Sequence, residues 1–142
     1  MTQLQAIRQF VNLALGEPVV IAREREDWSM AVDESRPRLI LPFNLDHNDR
    51  EDKLFRADFV ERCPCARGFA NITITLLHEV GHWMTRLDVD WERYYDERVG
   101  VYGIDYFRLD AEMKATDWAI AWLSNSYNRK YAKTFEVNYF GH

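Results

Sequence analysis

The residues best suited to chemistry lie in the segment ITITLLHEVGHWM, Ile72–Met84, where His78 and His82 are four positions apart and enclose Glu79. On an α-helix, side chains at i and i+4 project side by side, so both imidazoles can bind one ion. Glu79 lies about 100° around the helix from His78, where its carboxylate can accept a proton from a water molecule that zinc activates. The spacing predicts a zinc site with two ligands and a general base. The alternative is a buried helix whose histidines are satisfied by hydrogen bonds in the core.

A catalytic zinc ion needs a third protein ligand, and the carboxylates after the motif are the candidates. They are Asp88, Asp90, Glu92, Asp96, Glu97, Asp105, Asp110, Glu112 and Asp117. Asp88 occupies the third-ligand position of the metzincin pattern, but Thr85 stands where that pattern needs a glycine to end the helix. Leu87 extends the apolar stripe of the motif helix, so we expect Asp88 at the surface.

Glu112 is better placed, because it lies near the start of a second predicted helix, AEMKATDWAIAWL. Glu112, Ala115, Ala119 and Trp122 share one face of that helix, and the small alanines would allow a close approach to the motif helix. Gly81 would allow the same approach from the other side, because it has no side chain.

The two segments LLHEVGH and EMKATDWA together resemble those of ImmA/IrrE-type metallopeptidases, which join an H-E-x-x-H helix to a later E-x-x-A-x-x-F-A helix. Glu112, Ala115, Trp118 and Ala119 match, whereas Thr116 stands where that family commonly has asparagine. The resemblance implies a zincin fold, with Glu112 as the third zinc ligand and peptide bonds as the target of hydrolysis. It also implies a bacterial or phage-borne protein that cleaves a regulatory protein such as a transcriptional repressor.

The sequence HEVGHW is also similar to the zincin-like domain of ArdC-type antirestriction proteins. A non-catalytic zincin-fold binding or antirestriction factor is therefore the alternative function. Intact Glu79 argues against it, because a protein that only binds zinc needs no general base.

The flanking segments predict a single α+β domain over residues 1–142. A helix at 3–15 precedes three short apolar segments, 18–22, 28–33 and 38–43, which predict an antiparallel three-stranded sheet. Pro42 cannot donate a ladder hydrogen bond, which favours an edge position for the third strand. An edge strand would hold an extended substrate by main-chain hydrogen bonds.

The remaining chain predicts mainly helices. They are a helix near 50–62, the motif helix from Ile72 with Asn71 as its N-cap, a helix at 111–124 with Asp110 as its N-cap, and a partly helical tail after 125. Residues 88–109 are expected to be irregular.

A zinc peptidase also needs a hydrogen-bond donor for the oxyanion of the tetrahedral intermediate. The sequence offers several candidates without choosing among them. They are Tyr94, Tyr95, Tyr102, Tyr106 and, more remotely, Tyr139 or His142.

The composition excludes several classes of function. A formal charge of −5 lacks the basic excess that nucleic-acid binding uses, and apolar runs are far shorter than the roughly 20 residues of a membrane span. The amphipathic amino terminus does not fit a signal peptide, which indicates a cytoplasmic protein.

Cys63 and Cys65 are expected to be reduced thiols, and no second pair is present to complete a four-thiolate metal site. The sequence gives no indication of an oligomeric state.

Overall fold

The computed structural model describes residues 1–25, 28–45 and 50–141 and shows one small α+β domain. The strands are β1 (Val20–Arg25), β2 (Ser29–Ala31) and β3 (Arg38–Pro42). The helices are α1 (Gln3–Leu15), α2 (Arg50–Arg62), α3 (Asn71–Met84), α4 (Trp91–Glu97), α5 (Ile104–Phe107), α6 (Asp110–Leu123) and α7 (Ser126–Phe140), and short 3₁₀ turns cover Pro64–Gly68 and Arg86–Asp88. Of the helices in these ranges, none is long and apolar enough to cross a membrane.

The sheet differs from the predicted antiparallel one. Its strand order is β1-β3-β2, with β3 parallel to β1 and antiparallel to β2. The prediction of an edge position for β3 was therefore wrong. Leu39, Ile40 and Leu41 are all buried, which favours the centre of the sheet. Pro42 is tolerated because it is the last residue of β3 and lies beyond a register shift in the pairing with β1.

α3 runs through the middle of the domain, and every residue from Ile72 to Trp83 is buried. Its amino end differs from the prediction, since Asn71 is the first helical residue and Ala70 is the N-cap. Glu136 of α7 takes over the capping role. Its carboxylate accepts a hydrogen bond from the Ala70 N–H at 2.8 Å and another from the Thr73 hydroxyl. A negative charge at a helix amino end is favourable, because the unpaired N–H groups there carry partial positive charge.

α3 ends at Met84, so Leu87 does not extend its apolar stripe and is 87% exposed. The predicted irregular stretch 88–109 in fact contains α4 and α5. Asp90 caps α4 by accepting from the Arg93 N–H at 3.1 Å, and the Trp91 indole donates to the Arg86 carbonyl at 2.8 Å. The Trp91 bond ties the start of α4 to the turn that follows α3.

The predicted helices at 3–15 and 50–62 are confirmed. α6 begins one residue before its predicted start, and its N-cap is Leu109 rather than the predicted Asp110. The tail is helical from Ser126 to Phe140 rather than in part. α7 and α1 pack together around the stacked rings of Phe10 and Phe135, whose centroids lie 4.6 Å apart. The core thus surrounds α3 and fixes the position of the motif.

Candidate metal centre

The two motif histidines converge with Glu112 between α3 and α6. The Oε1 atom of Glu112 lies 2.9 Å from Nε2 of His78 and 3.1 Å from Nε2 of His82. All three side chains are buried. Two imidazole nitrogens and one carboxylate oxygen that meet at one point form the donor set of a catalytic zinc site.

Glu79 is a second carboxylate near the imidazoles. One ligand atom from each of His78, Glu79 and His82 lies within 4.8 Å of the others, so these three side chains alone could hold an ion. Glu112 is the closer of the two carboxylates to the pair, because one of its oxygens contacts both Nε2 atoms. The Glu79 carboxylate accepts a backbone hydrogen bond from Met30 of β2.

The outer nitrogen of His78 is also fixed. Its Nδ1 lies 2.9 Å from the hydroxyl of Thr116, one turn after Glu112 on α6. Without an ion, the neutral ring donates from Nε2 to Glu112 and its Nδ1 accepts from the hydroxyl. With an ion on Nε2, the hydroxyl would accept from the Nδ1 N–H, and such outer partners orient ligand histidines. Thr116 therefore orients the His78 ring by this hydrogen bond, as a longer polar side chain such as asparagine could do at the same position.

The Nδ1 of His82 is the one buried side-chain polar atom without a hydrogen-bond partner among the described residues. An ion bound at Nε2 would leave this Nδ1 without a partner as well, so the atom does not itself indicate a metal. The chemistry of the donors fits a zinc ion.

The electrostatics of the cluster follow from burial and from the closeness of opposite charges. Burial favours the neutral forms, yet the charge of His82 and the hydrogen bonds from both imidazoles hold the pKa of Glu112 well below its usual range. Burial lowers the pKa of His78, whereas for His82 the same effect is outweighed by the Glu112 charge, so its pKa is raised. The lowered pKa of Glu112 favours its anionic form between the two imidazoles, and an anionic carboxylate can bind a cation.

The second oxygen of Glu112 has its own partner. The hydroxyl of Tyr94 on α4 donates to Oε2, and the hydroxyl of Tyr106 on α5 lies 3.0 Å from that of Tyr94. Burial and the Glu112 charge raise the pKa of both phenols, that of Tyr106 to about 12. The sequence offered both tyrosines among several candidate oxyanion donors, but their link to Glu112 was not predicted, because the helices that carry them were not predicted.

The other candidates lie away from the cluster. Asp88 is exposed, as expected, although the helix ends before it. Tyr95 and Tyr102 are 46% and 81% exposed. Tyr139 lines a groove of 760 Å³ beside the amino ends of α1 and α3. This groove is not lined by His78, Glu79, His82 or Glu112. His142 lies outside the described residues.

The comparisons with known proteins add no relative. No protein-family model, no curated protein and no solved structure matches the chain. The assignment of function therefore depends on the residues of the site itself.

Proposed function

We propose that this protein is a zinc-dependent metallopeptidase in which His78, His82 and Glu112 hold the ion and Glu79 is the general base. One observation supports it above the others: the Nε2 atoms of both histidines and one oxygen of Glu112 meet within hydrogen-bond distance, with Glu79 beside them. The resemblance of the motifs to ImmA/IrrE-type metallopeptidases agrees with this set of residues. It also favours a cytoplasmic regulatory protein, such as a transcriptional repressor, as the substrate.

The roles of the side chains follow from their positions. When bound, zinc supplies Lewis-acid chemistry that activates a water molecule and polarises a carbonyl group. The Glu79 carboxylate would accept a proton from water in such a site and later donate it to the leaving amine. The Met30 N–H donates a hydrogen bond to this carboxylate and would orient it.

β2, rather than β3, is the strand that suits an extended substrate. It is an edge strand of the described sheet, and its residue Met30 contacts the general base. A peptide that lay along β2 would pass close to Glu79, and its main-chain hydrogen bonds would use groups of β2 other than the Met30 N–H, which is committed to Glu79. This replaces the edge role predicted for the segment RLILPF.

A second candidate is a zinc protein that binds a partner without hydrolysis, as in the antirestriction alternative. The observation that favours it is burial, because His78, Glu79, His82 and Glu112 are each at most 8% exposed. A peptide bond must reach the centre for hydrolysis, whereas a structural ion needs no access.

The metal content of the purified protein tests the first part of the proposal. We expect one zinc ion per chain by elemental analysis, and its loss in His78→Ala and in His82→Ala. A matched control is Met84→Ala, which changes a half-exposed residue on the same helix. Wild-type protein that takes up no zinc under any loading condition would refute the proposal.

Hydrolysis is tested by comparing wild type with Glu79→Gln in a native lysate and identifying new protein amino termini by mass spectrometry. We expect termini that depend on wild-type protein, with a loss of about 10²- to 10⁴-fold in their rate of appearance for the variant. Equal zinc content in the two proteins shows that the base and not the metal was removed. If zinc binds but no terminus depends on Glu79, the non-catalytic candidate is the better account.

A further inference from the structure

The hydrogen bonds around Glu112 extend well beyond the ion site. Glu112 uses Oε1 for both imidazoles and Oε2 for the Tyr94 hydroxyl, so each of its oxygens has a defined partner. A carboxylate can rotate about its terminal torsion with little resistance. The phenol therefore fixes the plane of the carboxylate and keeps one oxygen directed at the histidines.

The Tyr94 and Tyr106 hydroxyls have one donor proton each. A phenol has one proton to donate, and the Tyr94 proton is committed to Glu112, which is anionic and can only accept. Tyr106 must then donate to the oxygen of Tyr94 across their 3.0 Å contact. Neither hydroxyl has a proton left for an oxyanion in this arrangement, which argues against the role that the sequence suggested for them.

Both tyrosines lie on elements that also have contacts outside the centre. Trp91 of α4 donates to the Arg86 carbonyl in the turn after α3. α5 is fixed at its carboxyl end, where the Arg108 guanidinium forms two hydrogen bonds of 2.7 and 3.1 Å to the buried carboxylate of Asp58 on α2. The position of Tyr94 therefore does not depend on its contact with Glu112 alone.

We infer that Tyr94 is a positioning residue that holds Glu112 in the orientation needed to bind the metal, with Tyr106 orienting the Tyr94 hydroxyl. The inference rests on the proposed function, because it concerns the third ligand of the proposed zinc centre. Through these two tyrosines, α4 and α5 support the ligand set from outside.

The test is a measurement of zinc affinity by competition with a chromophoric chelator, for wild type, Tyr94→Phe, Tyr106→Phe and Tyr95→Phe. Removal of an outer-shell partner typically weakens metal binding by roughly 10- to 100-fold, and we expect this for Tyr94→Phe. Tyr106→Phe should weaken binding by a smaller factor. Tyr95→Phe is the matched control, since Tyr95 is the next residue on α4 and is 46% exposed, and its affinity should stay within about twofold of wild type.

A second readout separates positioning from a general loss of stability. Wild type and Tyr94→Phe are loaded with Co²⁺, and their visible absorption spectra are compared at saturation. We expect the bands of the variant to shift in position or intensity, because the released carboxylate changes the ligand geometry. The Phe ring keeps the packing against Trp91, whose centroid lies 5.5 Å from that of Tyr94, so the thermal unfolding of the metal-free variant should stay cooperative.

The outcomes distinguish this inference from the function on which it rests. Wild-type protein that binds neither Zn²⁺ nor Co²⁺ refutes the proposed centre, and the positioning role with it. Wild type that binds zinc beside a Tyr94→Phe variant of equal affinity and unchanged cobalt spectrum overturns the positioning role alone. If Tyr94→Phe does not fold, Tyr106→Phe decides, and wild-type affinity in that variant overturns the inference.

Discussion

Gly81 of α3 faces the backbone of Ala115 on α6 with no room for a side chain. A Cβ atom built on Gly81 would lie 2.3 Å from the carbonyl oxygen of Ala115 and 2.9 Å from its carbonyl carbon. These are backbone atoms of a buried helix and cannot rotate away. The two helices that carry the candidate ligands are therefore as close as their backbones allow, as the glycine and the alanines in the sequence predicted.

We expect Gly81→Ala to lower both zinc affinity and the free energy of unfolding. Helix propensity alone would favour alanine by up to about 1 kcal/mol, but overpacking at a backbone contact typically costs about 1 to 3 kcal/mol and separates the helices. Separation would move Glu112 away from both histidines. Chemical denaturation and chelator competition provide the measurements. Gly68→Ala is the control, because its added Cβ meets no atom within 4 Å. Equal behaviour of the two variants would contradict this account.

The two carboxylate candidates for the third ligand can be compared directly. Glu112→Gln removes the charge that faces both imidazoles, and we expect zinc affinity to fall by more than the roughly 10- to 100-fold typical of outer-shell changes. Asp88→Asn should leave zinc affinity unchanged, because Asp88 is exposed on the 3₁₀ turn after α3. Isothermal titration of the metal-free proteins measures both. The reverse order of effects would assign the ligand to Asp88.

Local sequence patterns predicted the parts of the site that lie on long helices. The period of apolar residues located α3 and α6, and the i, i+4 spacing placed His78 and His82 on one face of α3, where the geometry is fixed by the backbone. Glu112 was selected differently, by the small-residue face of its helix and by the resemblance of its segment to the second motif of ImmA/IrrE-type metallopeptidases. The structure places the Glu112 carboxylate within hydrogen-bond distance of both histidines.

The sheet and the short helices could not be predicted in the same way. Strand order depends on which strand gains most from burial on both sides, and that is a property of the whole core. The prediction from Pro42 was wrong because it did not consider where in the strand the proline lies. α4 has only seven residues and little periodicity, although Asp90 three residues before Arg93 is a recognisable cap. Because α4 was not predicted, the contact between Tyr94 and Glu112 was not predicted either.

The two cysteines should differ sharply in reactivity. Cys63 is buried and Cys65 is exposed, with their sulfur atoms 3.1 Å apart. Burial, with a contribution from Cys65, raises the pKa of the Cys63 thiol to about 11, so at pH 8 it is protonated and a poor nucleophile. We expect iodoacetamide to label native protein at Cys65 alone, with Cys63 labelled only after denaturation. Cys65→Ser should abolish labelling of the native state. Rapid labelling of both thiols in native wild type would contradict the prediction.

Glu79 gives the metal-free protein a pH-dependent stability. Burial, opposed in part by His82, raises the pKa of its carboxyl group to about 8, compared with about 4.3 in an unfolded chain. Between these values the folded protein holds a proton that the unfolded chain has released. The stability that this proton contributes is complete below about pH 4 and is lost as the pH rises through about 8.

We therefore expect the stability of Glu79→Gln, measured with a chelator present, to exceed that of wild type by only about 1 kcal/mol at pH 5 and by more at pH 9. Glutamine has no proton to lose, so it removes the cost of a buried anion, which is a few kcal/mol at most on the usual scale of 1.36 kcal/mol per pKa unit. Urea unfolding at pH 5, 7 and 9 gives the free energies of unfolding of both proteins. The exposed Glu92, as Glu92→Gln, is the control and should follow wild type at every pH. A difference between Glu79→Gln and wild type that does not grow with pH would show that Glu79 is already ionised in the folded protein, and its carboxylate would then need a stronger partner than Met30 and His82.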